Sequence, residues 1–295
     1  EMQRSLVGSE MCIRDRYAEN NGYLKAAIIV AVVSFLAMSL ISLFGKERYK
    51  VKEEVLEKPA SLRDTWEYLI HNKYLLYFYA YRMISGSIAV SMLIYVAKYC
   101  LGDVKYMSMV VAISVIPICI LFLFSGKIFK RFDKIVVYRF CMIATILMNA
   151  ITLFVGYQNR TLAIACLVVI AVLAILPSIL MGAIPQDCVE YGTYKTETRK
   201  EGITFALQTF ANKLTAAVAT IITGGVLTFV GYDVAAEKAA TEAHKVVEIA
   251  VSQATVSGMW KASFIVPIIG QLLAIGFLFA YNLRDKDVQI MSDCN

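Results

Sequence analysis

Seven stretches of this chain stay apolar for about twenty residues each, the length a helix needs to cross the hydrocarbon core of a bilayer. They run over roughly 24–44, 74–97, 106–124, 135–155, 161–184, 203–230 and 260–280. A backbone inside lipid must satisfy its own polar groups, which leaves helices or a closed barrel. These runs are too long for barrel strands and lack sustained alternation, so they read as helices. Composition agrees: 59% of residues are hydrophobic and 18% charged, whereas soluble domains carry about 25% charged residues. The fold class predicted is an all-α integral membrane protein with seven transmembrane helices.

Loop charge orients the helices. The loops after the first, third and fifth blocks, with the tail, hold most of the basic residues, among them Lys46, Arg48, Lys50, Lys127, Lys130, Arg131, Lys134, Lys195, Arg199, Lys200, Arg284 and Lys286. The other loops hold Lys98, Lys105, Arg160, Lys238, Lys245 and Lys261. Positive loops stay in the cytoplasm, which puts the C-terminus inside and the N-terminal end outside. The net charge of +6 therefore reports topology and gives no reason to expect nucleic acid. The seven cysteines form no C-x-x-C pair, and the two histidines, His71 and His244, fall in different loops. No metal site and no disulfide framework is expected.

The chain divides as follows. Residues 1–20 read as a leader foreign to the fold, because Ser5 to Arg16 looks like a translated sequencing adapter. Residues 21–45 are a transmembrane helix. Residues 46–73 are a cytoplasmic loop in which Ser61 and Asp64 mark a helix start. Leu62, Trp66 and Leu69 then follow at helical spacing, which fits a helix on the membrane surface or one packed on protein. Residues 74–283 form a transmembrane bundle and 284–295 a cytoplasmic tail. The outer loop 231–259 reads as a solvated connector or a helical lid.

The sixth block carries the most chemistry. At 100° per residue, Thr204, Gln208, Thr209, Asn212, Lys213, Thr215, Thr220 and Thr223 share one half of its circumference. Such a face needs a cavity or a partner helix. Lys213 lies about ten residues into the span, roughly 15 Å deep at 1.5 Å per residue. An ammonium there needs an anion, a polar cavity or water; it either serves function or pins two helices together. Arg82, in the second block, either lines a cavity or snorkels to the surface. Tyr81, with Tyr77, Tyr79 and Tyr95, offers rings and hydroxyls suited to a sugar path, or forms an interfacial belt. Pro117, Pro177 and Pro267 permit kinks within spans. Asp187 and Glu190, just past Pro185, belong either to a solvated loop or to an inner gate. No phosphate-binding loop, G-x-S-x-G or H-E-x-x-H string occurs, and no enzymatic activity is expected.

Several short strings are shared with a known family. Asp187, Glu190, Tyr191, Gly192, Tyr194 and Lys195 fit a D-x-x-[DE]-Y-G-x-[YW]-K run, with Arg199 and Glu201-Gly202-Ile203 after it. Lys213 follows deep in a helix that ends at Gly231-Tyr232. The exit string FAYNL and His71-Asn72-Lys73 fit two further family patterns. On these the chain resembles the glycoside–pentoside–hexuronide:cation symporters of the major facilitator superfamily over about residues 24–285. The resemblance implies the sixth of twelve helices plus the C-terminal six-helix bundle, with the N-terminal six-helix bundle as missing partner. It implies a sugar or glycoside substrate held between the bundles, a coupling cation (Na+, H+ or Li+), and a multi-pass place in the lipid bilayer of a bacterial plasma membrane. It implies that Gln208, Thr209 and Asn212 face the sugar and that Lys213 approaches acidic groups of the missing bundle; with Arg82 and Tyr81 these are the substrate-binding candidates. Lys213, Asp187, Glu190, Tyr191 and Arg199 are the candidates for coupling and gating. Lysophospholipid transport, a seven-span receptor and a non-transporting scaffold are the alternatives.

Overall fold

A computed structural model describes residues 24–25, 27–40, 42–45, 62–88, 92–196, 200–233 and 251–294. The leader 1–20, Ser61, Arg199 and most of the outer loop (234–250) lie outside the described residues. The chain separates into two units, 1–56 and 57–295. In the first, α1 (Ala27–Phe44) is long and apolar enough to cross a membrane.

The second unit is helical among its described residues. Its elements are α2 (Leu62–His71), α3 (Lys73–Ser87), α4 (Leu93–Tyr95) running on as a π turn over Val96–Cys100, α5 (Lys105–Arg131) and α6 (Lys134–Val155). Then come α7 (Arg160–Leu173), α8 (Ile175–Thr196), α9 (Glu201–Phe229), α10 (Gln253–Ala280) and α11 (Asp285–Cys294). Six helices among the described residues can span a membrane by length and apolarity, α7 and α8 together counting as one. The block at 74–97 is the exception to the seven predicted. Its helix α3 stops in Ser85-Gly86-Ser87, residues of low helix propensity, and the block resumes as α4 and the π turn.

Prolines act unequally. Pro177 has no N–H, so the carbonyl of Leu173 loses its usual i+4 donor, and the chain breaks between α7 and α8 at Ala174. Pro117 and Pro267 sit inside continuous helices. So does Pro185, and the string after it is helix rather than loop: α8 continues to Thr196, carrying Asp187, Glu190 and Tyr191. One lost bond is outweighed by burial of Ile184, Cys188 and Val189 on the same helix.

Two apolar cores sit at opposite ends of the unit. One gathers Leu75, Phe78, Tyr138, Ile184 and Leu278; the other gathers Val96, Val110, Ile164, Leu227, Met259 and Trp260. The helix α10 packs on α3 and α6, and α3 also packs on α9. Small residues let these helices close. A Cβ on Gly86 would stand 2.5 Å from Thr215 Cγ2, and one on Gly270 would stand 2.6 Å from Ile88 Cβ. Outward, Leu123, Phe140, Leu147, Phe154, Ile221 and Leu273 are exposed, an apolar surface suited to lipid. The short α2 buries Tyr68 against the bundle and leaves Trp66 and Ile70 outside, so it packs on protein by one side only.

The Gly86–Thr215 approach is testable. Gly86→Ala should cost about 1–3 kcal/mol by overpacking, read as a lower melting midpoint of the purified chain. Adding Thr215→Ser, which deletes the offending methyl, should restore much of the loss. An unchanged midpoint for Gly86→Ala would show that α3 and α9 do not approach this closely.

Candidate functional site

The helix α9 has three faces rather than two. Thr204 and Ala211 are buried and Leu207, Gln208, Thr215, Val218 and Ile222 half-buried, and together they form the stripe by which α9 packs. On one side of the stripe Phe210, Leu214 and Ile221 are exposed and greasy. On the other, Thr209, Asn212, Lys213 and Thr220 are exposed and polar. Three members of the predicted polar half thus turn into the bundle. Thr204 meets Tyr68, hydroxyl to hydroxyl at 3.3 Å, Gln208 Nε2 donates to the carbonyl of Met181 at 3.0 Å, and Thr215 meets Gly86. Helical geometry hides this division in the sequence, because threonine serves equally on a packed or a wet face. Thr209 and Thr220 donate to carbonyls one turn back on their own helix, a usual way for threonine to settle in an apolar helix. Lys213 has no hydrogen bond or ion pair among the described residues.

Arg82 is half-buried and lies near the Tyr138 side chain, an outcome between lining a cavity and snorkelling. Tyr81 is buried, its ring edge-on to Tyr138 at 5.7 Å, because α3 is enclosed by its neighbours at this point. It lies off the exposed polar flank of α9. Both α3 and α9 run from the first core towards the second and touch at Gly86 and Thr215. Arg82 is about 6 Å and Lys213 about 3 Å back along their helices from that contact. The two cations therefore sit at similar depth.

The end near the first core holds a polar knot. Asn72 is fully buried. Its Oδ1 accepts from the Leu75 N–H at 3.2 Å, capping α3. Its Nδ2 donates to the Cys188 carbonyl of α8 at 2.7 Å. Gly192 makes room: a Cβ there would stand 2.5 Å from the Tyr68 hydroxyl and 2.8 Å from Asn72 Nδ2. Tyr79 donates to the Thr204 carbonyl at 3.1 Å. Tyr281, buried at the end of α10, places its ring against Tyr74 and Phe78 and its hydroxyl 3.6 Å from Cys188 Sγ. Tyr191 is buried too, its ring 4.7 Å from that of Tyr74, so it holds the knot rather than facing an opening.

Beside the knot runs a charged network. Lys134 Nζ donates to both Asp187 oxygens, at 2.6 and 2.7 Å, and lies 3.5 Å from Asp285 of α11. Asp285 also accepts from the Lys134 N–H at 3.1 Å. Asp187 is thus engaged inside this unit. Glu190, half-buried, lines a cavity of about 390 Å3 with Gln186, Asp187, Glu201 and Phe205. Arg139 donates to the carbonyls of Leu278, Phe279 and Tyr281 and to Asn282 Oδ1. A cation there satisfies the orphan carbonyls at the C-terminus of α10.

At the opposite end, α9 closes with Gly231 at φ 83°. Its N–H donates to Thr228 and that of Tyr232 to Leu227, the double bond of a glycine-terminated helix. Tyr232 is buried, its hydroxyl 3.1 Å from that of Tyr99. Among the shared strings, then, Gly231-Tyr232 closes α9 at one end, and Asn72, Tyr191, Gly192 and Tyr281 meet in the knot at the other. A family model described as MFS/sugar transport protein matches residues 5–285. The chain belongs to this family. Transport is the work of MFS/sugar transport proteins, and they are not enzymes. A sulfoquinovose importer of Escherichia coli (strain K12), so named, is 28% identical over 269 residues, covering 90% of this chain and 54% of that protein. A 2,3-dihydroxypropane-1-sulfonate exporter of Salmonella typhimurium, so named, is 26% identical, covering 90% and 55%. The symporter YjmB of Bacillus subtilis is 29% identical, covering 84% and 52%. The chain spans about half the length of the curated relatives it matches.

Within this MFS/sugar transport fold, Lys134, Arg139, Asn72 and Tyr281 are the residues that sequence reasoning left without a role. Lys134 appears in it only as a topology charge, and nothing in its neighbours in sequence points to Asp187. Asn72 stood in a family string, yet its burial follows only from where α8 lies.

The charged network generates a prediction. Lys134→Met should destabilise the purified chain by about 2 kcal/mol, by leaving the mostly buried Asp187 carboxylate without its cation. Lys134→Met with Asp187→Asn should recover roughly half of that loss. Equal melting midpoints for the single and double variants would mean that the pair contributes nothing to the fold.

Proposed function

We propose that this chain forms one wall of the substrate cavity of a sugar:cation symporter of the glycoside–pentoside–hexuronide type. The observation that carries the reading is Lys213. It is exposed on the polar flank of α9 beside Thr209 and Asn212, with no partner among the described residues. In lipid an ammonium in that position costs a few kcal/mol, so something else must face it. A second helical bundle carrying carboxylates meets that need, and the substrate and a coupling cation (Na+, H+ or Li+) are held between the two. Thr209 and Asn212 then bond substrate hydroxyls, while Gln208, bound to Met181, sets the position of α9. The two bundles rock about this midplane site. The end with the knot faces the cytoplasm of a bacterial inner membrane, and its acidic cavity at Glu190 and Glu201 takes part in opening and closing that side.

One observation favours a narrower reading, in which the substrate is an anionic sugar derivative. Relatives are named for sulfoquinovose and for 2,3-dihydroxypropane-1-sulfonate, and Lys213 and Arg82 lie at similar depth. Cations suit a sulfonate head as they suit any oxyanion.

The test is uptake by the longer transporter that contains this chain, in vesicles with an imposed cation gradient. Labelled glycosides, sulfonated sugars and lysophospholipids are compared. Lys213→Leu should reduce cation-driven accumulation of the transported sugar by about tenfold or more, the size of a typical coupling term. Sulfonated sugars outcompeting neutral ones would support the anionic reading. Undiminished accumulation by Lys213→Leu, or transport of lysophospholipids alone, would overturn the proposal.

A further inference from the structure

The helices α5 and α6 are joined only through Phe132 and Asp133, yet they diverge. The helix α5 packs on α7 and α8, whereas α6 packs on α7, α8 and α10. The interruption of α7 and α8 at Ala174 lies across the gap. What remains is a groove of about 550 Å3 with a wholly apolar lining. Val137, Cys141 and Leu176 are buried at its floor, and Phe132, Val136 and Phe140 are exposed at its rim. A rim of exposed aromatic and branched side chains on a membrane-facing helix opens sideways, into lipid.

The mouth of this groove differs in kind. A second cavity, of about 470 Å3, adjoins it, and Phe132 lines both. It is walled by Lys130, Arg131, Asp133 and Lys134 from the α5–α6 junction and by Asp285 and Lys286 from α11. Lys134 is shared between Asp187 and Asp285. The other charges are Lys130, Arg131 and Lys286, all exposed, against Asp133 and the one carboxylate that Lys134 leaves unmatched, which still leaves the bowl net positive. The shared lining thus offers an apolar slot directly beneath a cationic bowl. A sugar has no use for the slot, and a neutral chain has no use for the bowl.

We infer that this is a binding site for an anionic phospholipid, with one acyl chain in the groove between α5, α6 and the α7–α8 junction and the phosphate among Lys130, Arg131 and Lys286. Basic side chains at the edge of a membrane segment attract acidic headgroups, each contributing appreciably near the surface. The ring of Phe132, with the Arg131 guanidinium 5.9 Å away, stands where headgroup and chain divide. Because α11 contributes Lys286, a bound lipid also ties the C-terminal helix to the α5–α6 junction, next to the Lys134–Asp187–Asp285 network.

Native mass spectrometry of the full chain tests this, with phosphatidylglycerol and phosphatidylcholine of equal chain length as probes. Phosphatidylglycerol should be retained preferentially. The triple variant Lys130→Gln, Arg131→Gln, Lys286→Gln, which touches only exposed side chains, should lower its retention by about tenfold or more. A control triple, Lys98→Gln, Lys105→Gln, Lys261→Gln, removes the same charge elsewhere and should leave retention unchanged. Val136→Trp, which fills the rim, should weaken both lipids. Equal retention of the two lipids by the wild type, full retention by the first triple, or equal loss in both triples would overturn the assignment. So would capture of a protein partner by this face with lipid retention unaffected by the substitutions.

Discussion

One carboxamide organises the end of the bundle where most of the recognisable strings converge. Asn72 caps α3 with its oxygen and reaches α8 with its nitrogen. Inside an apolar assembly neither group has water to fall back on, so losing either partner leaves a buried polar atom at a cost of about 1–3 kcal/mol. That stake fixes the height at which α3 meets α8. Gly192 then follows as a requirement of space, since any side chain would collide with Tyr68 and Asn72. Thr204 and Tyr281 follow as the remaining neighbours of the same knot. With α8 and α10 pinned at this end, Arg139 and Lys134 close the surface by capping α10 and joining α6 to α8 and α11.

The same rule of satisfied polar groups sorts the residues of α9. Its threonines bond to their own helix, which lets them appear on any face. Its packed stripe is chosen by size, with Ala211 and Thr215 allowing the approach of α3. What is left over is the difference between its two open flanks. Phe210, Leu214 and Ile221 match lipid, whereas Asn212 and Lys213 match neither lipid nor the bundle they belong to. A helix that satisfies everything except one amide and one ammonium is finished on one side and unfinished on the other.

Much of the fold was legible because a bilayer imposes length, and six of the seven apolar blocks appear as helices or helix pairs close to their predicted bounds. The block at 74–97 does not appear as one long helix among the described residues: α3 ends with Ser85-Gly86-Ser87, of low helix propensity, over which hydropathy averages. The loop expected after 184 is helix because proline was weighed locally, while burial of Cys188 and Val189 favours the continued α8. Of the candidate residues, Lys213 drew notice as a single charge in an apolar run, and it is exposed on α9. Gln208 and Tyr81 were less legible, since a polar or aromatic side chain in such a helix carries no mark of which neighbour it will meet. The pairings of Lys134 with Asp187 and of Arg139 with α10 join residues 53 and 142 positions apart, and nothing local in the chain encodes them.

The two lysines differ in whether their charge is matched. Lys134 has its carboxylates within hydrogen-bonding distance, so its charge is matched in the conformation seen and resists any motion that parts α6 from α8. Lys213 has its charge unmatched among the described residues, and a ligand or partner can shift a conformational equilibrium only through interactions that differ between the states. A fully paired lysine at 213 would offer no such difference. Leaving its ammonium open costs stability in the isolated bundle, and that unmet interaction is available to whichever carboxylate, cation-loaded site or substrate comes to face it.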